Sequence, residues 1–282
     1  MQAITGRRGW LAGSSLGALG WALPGPAAST ALAAPLPLTA QTTEGPYFLA
    51  GMPERADITE GRPGVPLAVR IRVLTAQGQP LPGAWVDLWQ CDAAGLYSGY
   101  GGQGDDRRVS LVGQTFLRGS LRTGADGAAA FGSIYPGWYA GRTTHIHFKV
   151  RVADHTVLTS QFFLPDALSE FIYTQLPGYQ RQQLRGVLNR TDGIALMAGP
   201  TVIGSVREDR DRDRDRYLAS LDTVVDPLAR PPVHRPGPGS GPPPGAQRGG
   251  GGGPPPGFGG TPALPVPEGE ARVRALVPGS KS

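Results

Sequence analysis

The stretch "THIHFKVRV", Thr144 to Val152, decides the fold. Its side chains alternate with period two. Ile146, Phe148, Val150 and Val152 fall on one face, and His145 and His147 on the other. One apolar face and one polar face describe a strand packed on a core from one side only. The apolar face therefore points into a sandwich, and both imidazoles point out of it, toward whatever loops lie above.

The same parity recurs on either side. In "PLAVRIRVL", Leu67, Val69, Ile71 and Val73 share a face while Arg70 and Arg72 take the other. "AWVDLWQ" resumes after a Gly/Pro turn, and "HTVLTSQFFL" follows the opening strand. "TFLRGSLRT" and "AAAFGSI" flank Asp126-Gly127, a dipeptide that signals a hairpin. "YLASLD" is placed to close a sheet, and helical character is confined to "DALSEFIYTQ" and "YQRQQLRGVL". The expected class is all-β: an antiparallel β-sandwich with long active-site loops and one or two short helices, over residues 34–227.

Both ends read differently. Residues 1–33 carry Arg7 and Arg8, then a weakly apolar Gly/Ala/Leu stretch and a small-residue cleavage site after Ala33. That pattern reads as a twin-arginine export signal, with an ordinary Sec signal as the alternative, and predicts a periplasmic or extracellular protein. The apolar run is too short and Gly-rich for a membrane anchor. Residues 228–282 are dominated by Pro and Gly and read as a disordered tail. The two ends also carry the charge. The chain is +5 overall. Setting aside the two leader arginines and a net four positive charges in the tail leaves the middle near −1, so no nucleic-acid partner is implied. "REDRDRDRDR", Arg207 to Arg216, is then most simply a solvated loop. The lone Cys91 excludes an intramolecular disulfide and any cysteine-rich metal site.

An HxH pair on a polar strand face suits a metal, and equally suits two imidazoles bonded to neighbours. Two tyrosines in turns shift the balance. Tyr139 lies in "YPGWYAGR", which leads into the histidine strand, and Tyr97 in "WQCDAAGLYSGYGG", which leaves the strand of Trp89. A free phenol titrates near pH ~10, so it binds metal at neutral pH only when a strongly charged cation stabilises the phenolate. A hard phenolate pair with neutral imidazoles suits Fe(III) better than Fe(II) or Zn(II).

These segments, in this order, resemble the intradiol ring-cleavage dioxygenases, the family of protocatechuate 3,4-dioxygenase and catechol 1,2-dioxygenase, and above all their secreted single-chain members. "TTEGPYF" at Thr42 to Phe48 is similar to the family's entry motif. "PLPGAWVDLWQCDAAGLYSGY", "TFLRGSLRTGADGAAAFGSIYPGWYAGRTTHIHFKV" and "SQFFLPDALSEFIY" continue the likeness. The resemblance implies Fe(III) held by Tyr97, Tyr139, His145 and His147, with Tyr139 released when a catechol chelates the metal. It assigns Arg142 as the active-site cation and Gln161 as a residue near the oxygen pocket. The implied reaction cleaves a catechol between its hydroxyl-bearing carbons with O2 to a cis,cis-muconate. A start near Ala34 would leave no room for the helical dimerisation segment of the cytoplasmic catechol enzymes, and the oligomeric state stays open. Tyr100, Tyr135, His155 and His234 match no ligand position.

Two other readings compete. A secreted, non-catalytic transthyretin-like sandwich shares the strand pattern of "GQPLPGAWVDLW" but has no need of the tyrosines and histidines together. A ferrous oxygenase would join the histidines to a carboxylate, Asp92 or Asp154, although neither has the usual spacing.

Overall fold

A computed structural model describes residues 34–211, 214–231 and 265–277. The leader and most of the tail lie outside the described residues. Eight strands form the body: β1 (Pro66–Thr75), β2 (Trp85–Trp89), β3 (Arg118–Arg122), β4 (Ala128–Ile134), β5 (His145–Val152), β6 (His155–Phe163), β7 (Ser205–Asp211) and β8 (Arg214–Val225). Three α-helices accompany them: α1 (Asp166–Gln175), α2 (Gly193–Ala198) and α3 (Gly269–Leu276).

The strands make two four-stranded sheets, ordered β4-β1-β8-β7 and β3-β2-β5-β6. Every pairing is antiparallel except β1 with β8, which run parallel. The expected sandwich is present. Its core is built by the alternating residues: Val69, Ile71 and Val73 from β1, Val86 and Leu88 from β2, and Ile146, Phe148 and Val150 from β5 are fully buried. Burying each such side chain is worth about 1.5–3 kcal/mol.

Four local expectations need correction. Asp126-Gly127 does turn the chain tightly, with Gly124 N–H donating to the Ala128 carbonyl at 2.9 Å. It does not make a hairpin, because β3 and β4 leave it into different sheets. The Gly127 carbonyl instead accepts from Val73 N–H at 2.8 Å, committing that side of the turn to β1. The described residues of the alternating charge run are not a loop but lie on the paired strands β7 and β8, where Asp209 opposes Arg216 and the Arg216 Nε donates to its carboxylate at 2.9 Å. Opposite charges across a ladder support strand pairing, and a charged edge deters further pairing.

"YQRQQLRGVL" is not helical beyond a short 3₁₀ turn at Pro177–Tyr179. Its side chains reach in separate directions, with Tyr179 Oη donating to the Tyr135 carbonyl at 2.7 Å and Arg185 to Asp166 at 2.7 Å. One helix could not serve both. The tail is not structureless throughout either. Arg272 of α3 donates to both oxygens of Glu170 on α1, at 2.9 and 2.7 Å, and to the Arg185 carbonyl at 2.9 Å.

Strand register positions the site. Arg118 pairs with Trp89, Trp89 with His147, and His147 with Gln161. These four residues form one row on the outer face of the β3-β2-β5-β6 sheet, with His145 one step along on β5. The connection from Gln90 to Leu117 and that from Tyr135 to Thr144 cross above this row. They carry Tyr97 and Tyr139.

Candidate metal centre and active site

Each side chain of the row is held by something specific. The Trp89 indole stacks on the His147 imidazole, with centroids 4.9 Å apart and an interplanar angle of 11°. Arg118 is buried without a carboxylate partner among the described residues. It donates to Ser98 Oγ and Ser98 O at 2.8 Å and to the Tyr47 carbonyl at 2.6 Å, and burial lowers its pKa to about 10. It thus ties the entry loop at Tyr47 to the residue that follows Tyr97. Tyr47 in turn stacks on Tyr97, with centroids 4.4 Å apart.

The two tyrosine loops are pressed together. Gly137 N–H donates to the Asp92 carbonyl at 2.9 Å, and a Cβ at Gly137 would lie 2.2 Å from the Ala93 carbonyl oxygen. Only glycine permits that approach. Asp92, offered above as a carboxylate ligand, accepts from Ala94 and Leu96 N–H at 3.0 Å and shapes this turn. Asp154 is solvent-exposed. Among the described residues no group of three or more His, Cys, Asp or Glu side chains could hold a metal. A two-histidine, one-carboxylate centre is therefore not assembled among the described residues.

Four donor atoms meet on the outer face. His145 Nδ1 lies 2.7 Å from the Thr143 carbonyl, which can only accept, so Nδ1 carries the proton and Nε2 the lone pair. His145 Nε2 is 3.1 Å from His147 Nε2 and 3.0 Å from Tyr139 Oη. One lone pair cannot serve both neighbours well. Tyr97 Oη is buried beside the Tyr139 hydroxyl and has no well-aligned hydrogen bond among the described residues. Burial, helped by the charge of Arg142, holds both imidazoles neutral, with pKa values well below the usual histidine range. Burial also pushes the Tyr97 phenol well above its ordinary value and that of Tyr139 up to about 12. An orphaned phenol and crowded lone pairs are what a bound cation would resolve. The donor set, two phenols and two neutral imidazoles, fits a hard trivalent ion.

Arg142 lies beside this cluster, almost fully buried. Its Nε donates to Asp192 Oδ2 at 2.8 Å and its Nη2 to Gln161 Oε1 at 2.5 Å. Burial works against its charge, while Tyr139 and Asp192 favour it. Gln161 is engaged at both ends, since its Nε2 donates to the Thr43 carbonyl at 3.1 Å. Asp192 is completely buried and also caps α2, its Oδ1 accepting from Ile194 and Ala195 N–H at 2.9 and 3.0 Å. Sequence reasoning missed Asp192, Arg118 and Trp89. The "TDG" ahead of an apolar run was a legible helix-cap signal for the first.

Tyr100 donates to the Phe48 carbonyl at 2.8 Å, Tyr135 shares a hydrogen bond with Ser169, and His155 opens β6, just past the turn, with its Nδ1 3.3 Å from Asp154 Oδ1. None joins the cluster. A cleft of about 190 Å³ opens beside it, with Tyr47, Tyr139, Gln103, Arg107 and Arg181 on its wall.

Gly45 closes the cluster from the entry loop. Its φ is +73°, and a Cβ there would meet His147 Cε1 at 3.1 Å. Gly45→Ala should cost about 1–2 kcal/mol from the left-handed backbone alone. Crowding of the imidazole against Trp89 adds to that. Denaturant titration measures the loss, and unchanged stability would show that the loop does not press on His147.

A family profile described as Dioxygenase matches residues 43–193, which span every residue of the cluster. Catechol 1,2-dioxygenase 1 of Acinetobacter lwoffii is 29% identical over 147 residues, 44% of this chain and 45% of its own length. A hydroxyquinol 1,2-dioxygenase of Nocardioides simplex is 31% identical over 147 residues, 45% of this chain and 47% of its own. The chain spans about half the length of these curated relatives. An intradiol ring-cleavage dioxygenase from Tetranychus urticae superposes with a TM-score of 0.61 at 28% identity, covering 70% of this chain and 98% of its own.

Proposed function

The chain belongs to the intradiol ring-cleavage dioxygenase family, and on that premise we propose that it cleaves a catechol-type ring between its two hydroxyl-bearing carbons with O2, at a ferric centre, to give a cis,cis-muconate. The observation that carries this reading is the convergence of Tyr97 Oη, Tyr139 Oη, His145 Nε2 and His147 Nε2 on one buried point beside a cleft. Those four atoms would hold the iron. When bound there, Fe(III) supplies Lewis-acid activation of a chelated catechol toward O2.

The chain's own groups do the rest. Tyr139 is half-buried, its ring on the cleft wall and its hydroxyl enclosed, so it is the tyrosine placed to yield to substrate and take up a catechol proton at Oη. Tyr97, packed beneath Tyr47 and away from solvent, stays in place. Arg142 is a permanent cation fixed in direction by Asp192 and Gln161, suited to stabilising negative charge that builds on the ring. Gln161 serves the site through Arg142 as a positioning residue. Trp89 and Phe163 pack against the imidazoles and exclude water from their faces.

The leader reading supports export, by a route that carries folded proteins and so can carry a loaded metal. Among the described residues no helix is long and apolar enough to cross a membrane.

The test is the visible spectrum of the iron-loaded protein. A burgundy tyrosinate band should shift to longer wavelength when catechol is added without oxygen, and a muconate should appear when air is admitted. A colourless protein that binds neither iron nor catechol would overturn the reading.

A further inference from the structure

The cleft beside Tyr139 has three charged residues on its wall: Asp105, Arg107 and Arg181. Two of them are committed to each other. Arg181 pairs with Asp105, donates to the Trp138 carbonyl at 2.6 Å, and lies 4.4 Å over the Trp138 ring. The next arginine in sequence, Arg108, faces Asp106 at 3.9 Å. The Arg107 guanidinium has neither an ion pair nor a hydrogen bond among the described residues, so the cleft carries one uncompensated positive charge. Arg107 lines this cleft together with Tyr47 and Tyr139.

The backbone presents Arg107 deliberately. Its φ is +56°, a conformation costly for any residue with a Cβ and rarely kept without a reason. The turn is closed by Gln103 N–H donating to the Val109 carbonyl at 2.8 Å and by Arg107 N–H donating to Gly104 O at 3.1 Å. It is also tied to the cluster, because Gln103 Oε1 accepts from Tyr97 N–H at 3.0 Å. The loop that aims the free cation is thus fixed to the backbone of a candidate ligand. Arg107 itself is exposed, at the rim, while the four donor atoms lie enclosed below.

We propose that Arg107 is a specificity residue that selects catechols bearing a carboxylate on the ring or on a short arm reaching the rim. The inference rests on the catechol-cleaving reading above. A guanidinium recognises a carboxylate through two parallel hydrogen bonds, and no protein carboxylate occupies it here.

Two measurements on the iron-loaded full chain test this. In calorimetric titrations, para-hydroxybenzoate should bind about 10-fold or more tighter than para-cresol, the scale of a charge-assisted hydrogen bond. Arg107→Gln should bring that ratio to near one, Arg107→Lys should retain part of it, and added salt should weaken it. In turnover, Arg107→Gln should lower kcat/KM for protocatechuate or dihydrocaffeate by roughly 10–100-fold while leaving 4-methylcatechol within about twofold. Equal ratios in the parent and in Arg107→Gln, or a preference of the parent for the uncharged compounds, would overturn the assignment of Arg107 and leave the dioxygenase reading intact. No turnover of any catechol would overturn that reading instead, and the binding ratio of the two monophenols would still decide whether this cleft selects anions.

Discussion

Stripped of metal, Tyr97→Phe is expected to melt above the parent protein, and it is expected to hold no iron. The two outcomes have one cause. Tyr97 Oη is buried, in a residue only 1% exposed, and among the described residues it finds no well-aligned hydrogen bond, its nearest polar neighbour being the Tyr139 hydroxyl. A buried hydroxyl left unpaired costs about 1–3 kcal/mol, and phenylalanine removes it without changing the ring that stacks on Tyr47. For a domain of this size each kcal/mol is worth roughly 2–4 °C in Tm. The comparison must be made without metal, because a bound ion stabilises the parent by mass action and hides the gain. The same oxygen is one of four proposed ligands. Its loss should weaken iron binding by more than the roughly 10–100-fold that follows loss of a ligand's outer partner. Tyr100→Phe is the control. That phenol donates to the Phe48 carbonyl at 2.8 Å, so its removal should lower stability by about 1 kcal/mol and leave iron in place. Calorimetry of the metal-free proteins and elemental analysis of the loaded ones read both effects. A metal-free Tyr97→Phe less stable than the parent, or one that retains iron, would remove Tyr97 from the ligand set.

The cluster was legible in part because strand parity is local. His145 and His147 share a face by counting residues, and the apolar partners Ile146, Phe148 and Val150 say which way that face turns. Tyr97 and Tyr139 stood out only as tyrosines in turns, and their role as ligands came from a family likeness, because periodicity says nothing about where a turn folds back. What could not be read was pairing between distant segments. Asp126-Gly127 specifies a tight turn but not which sheet each arm will join. The alternating Arg and Asp of residues 207–216 look like a solvated run until each strand is seen opposite the other, when opposite charges fall in register. The partner of Arg142 is fifty residues away in the chain, and only packing brings Asp192 to it. Arg118 was equally hidden. Nothing in "FLRGSL" shows that one arginine of a strand would be buried to hold two loops by their carbonyl oxygens.

That hidden carboxylate carries the second large effect. Asp192→Ala removes four acceptor contacts at once: Ile194 and Ala195 N–H on one oxygen, Arg142 Nε and Thr143 N–H on the other. Loss of the cap costs about 1 kcal/mol. Stranding a buried guanidinium costs about 3–5 kcal/mol more. Summed, these approach the whole stability of an ordinary domain, so the variant should be recovered poorly, if it folds. Asp192→Asn is the informative form. Its single amide oxygen can serve the cap or Arg142 but not both, so the protein should fold with intermediate stability and an Arg142 no longer fixed in direction. If Arg142 stabilises charge developing on the substrate ring, a displacement of about 1 Å can lower kcat by roughly 10²-fold, with iron content and catechol binding little changed. Pairing Asp192→Leu with Arg142→Leu separates stability from activity. Removing both charges relieves the stranded cation, so the double variant should be more stable than Asp192→Leu alone, yet remain as inactive as Arg142→Leu. If Asp192→Asn keeps full kcat, the orientation of Arg142 is immaterial to the reaction, and the buried ion pair serves only to fasten α2 and the loop leading into His145.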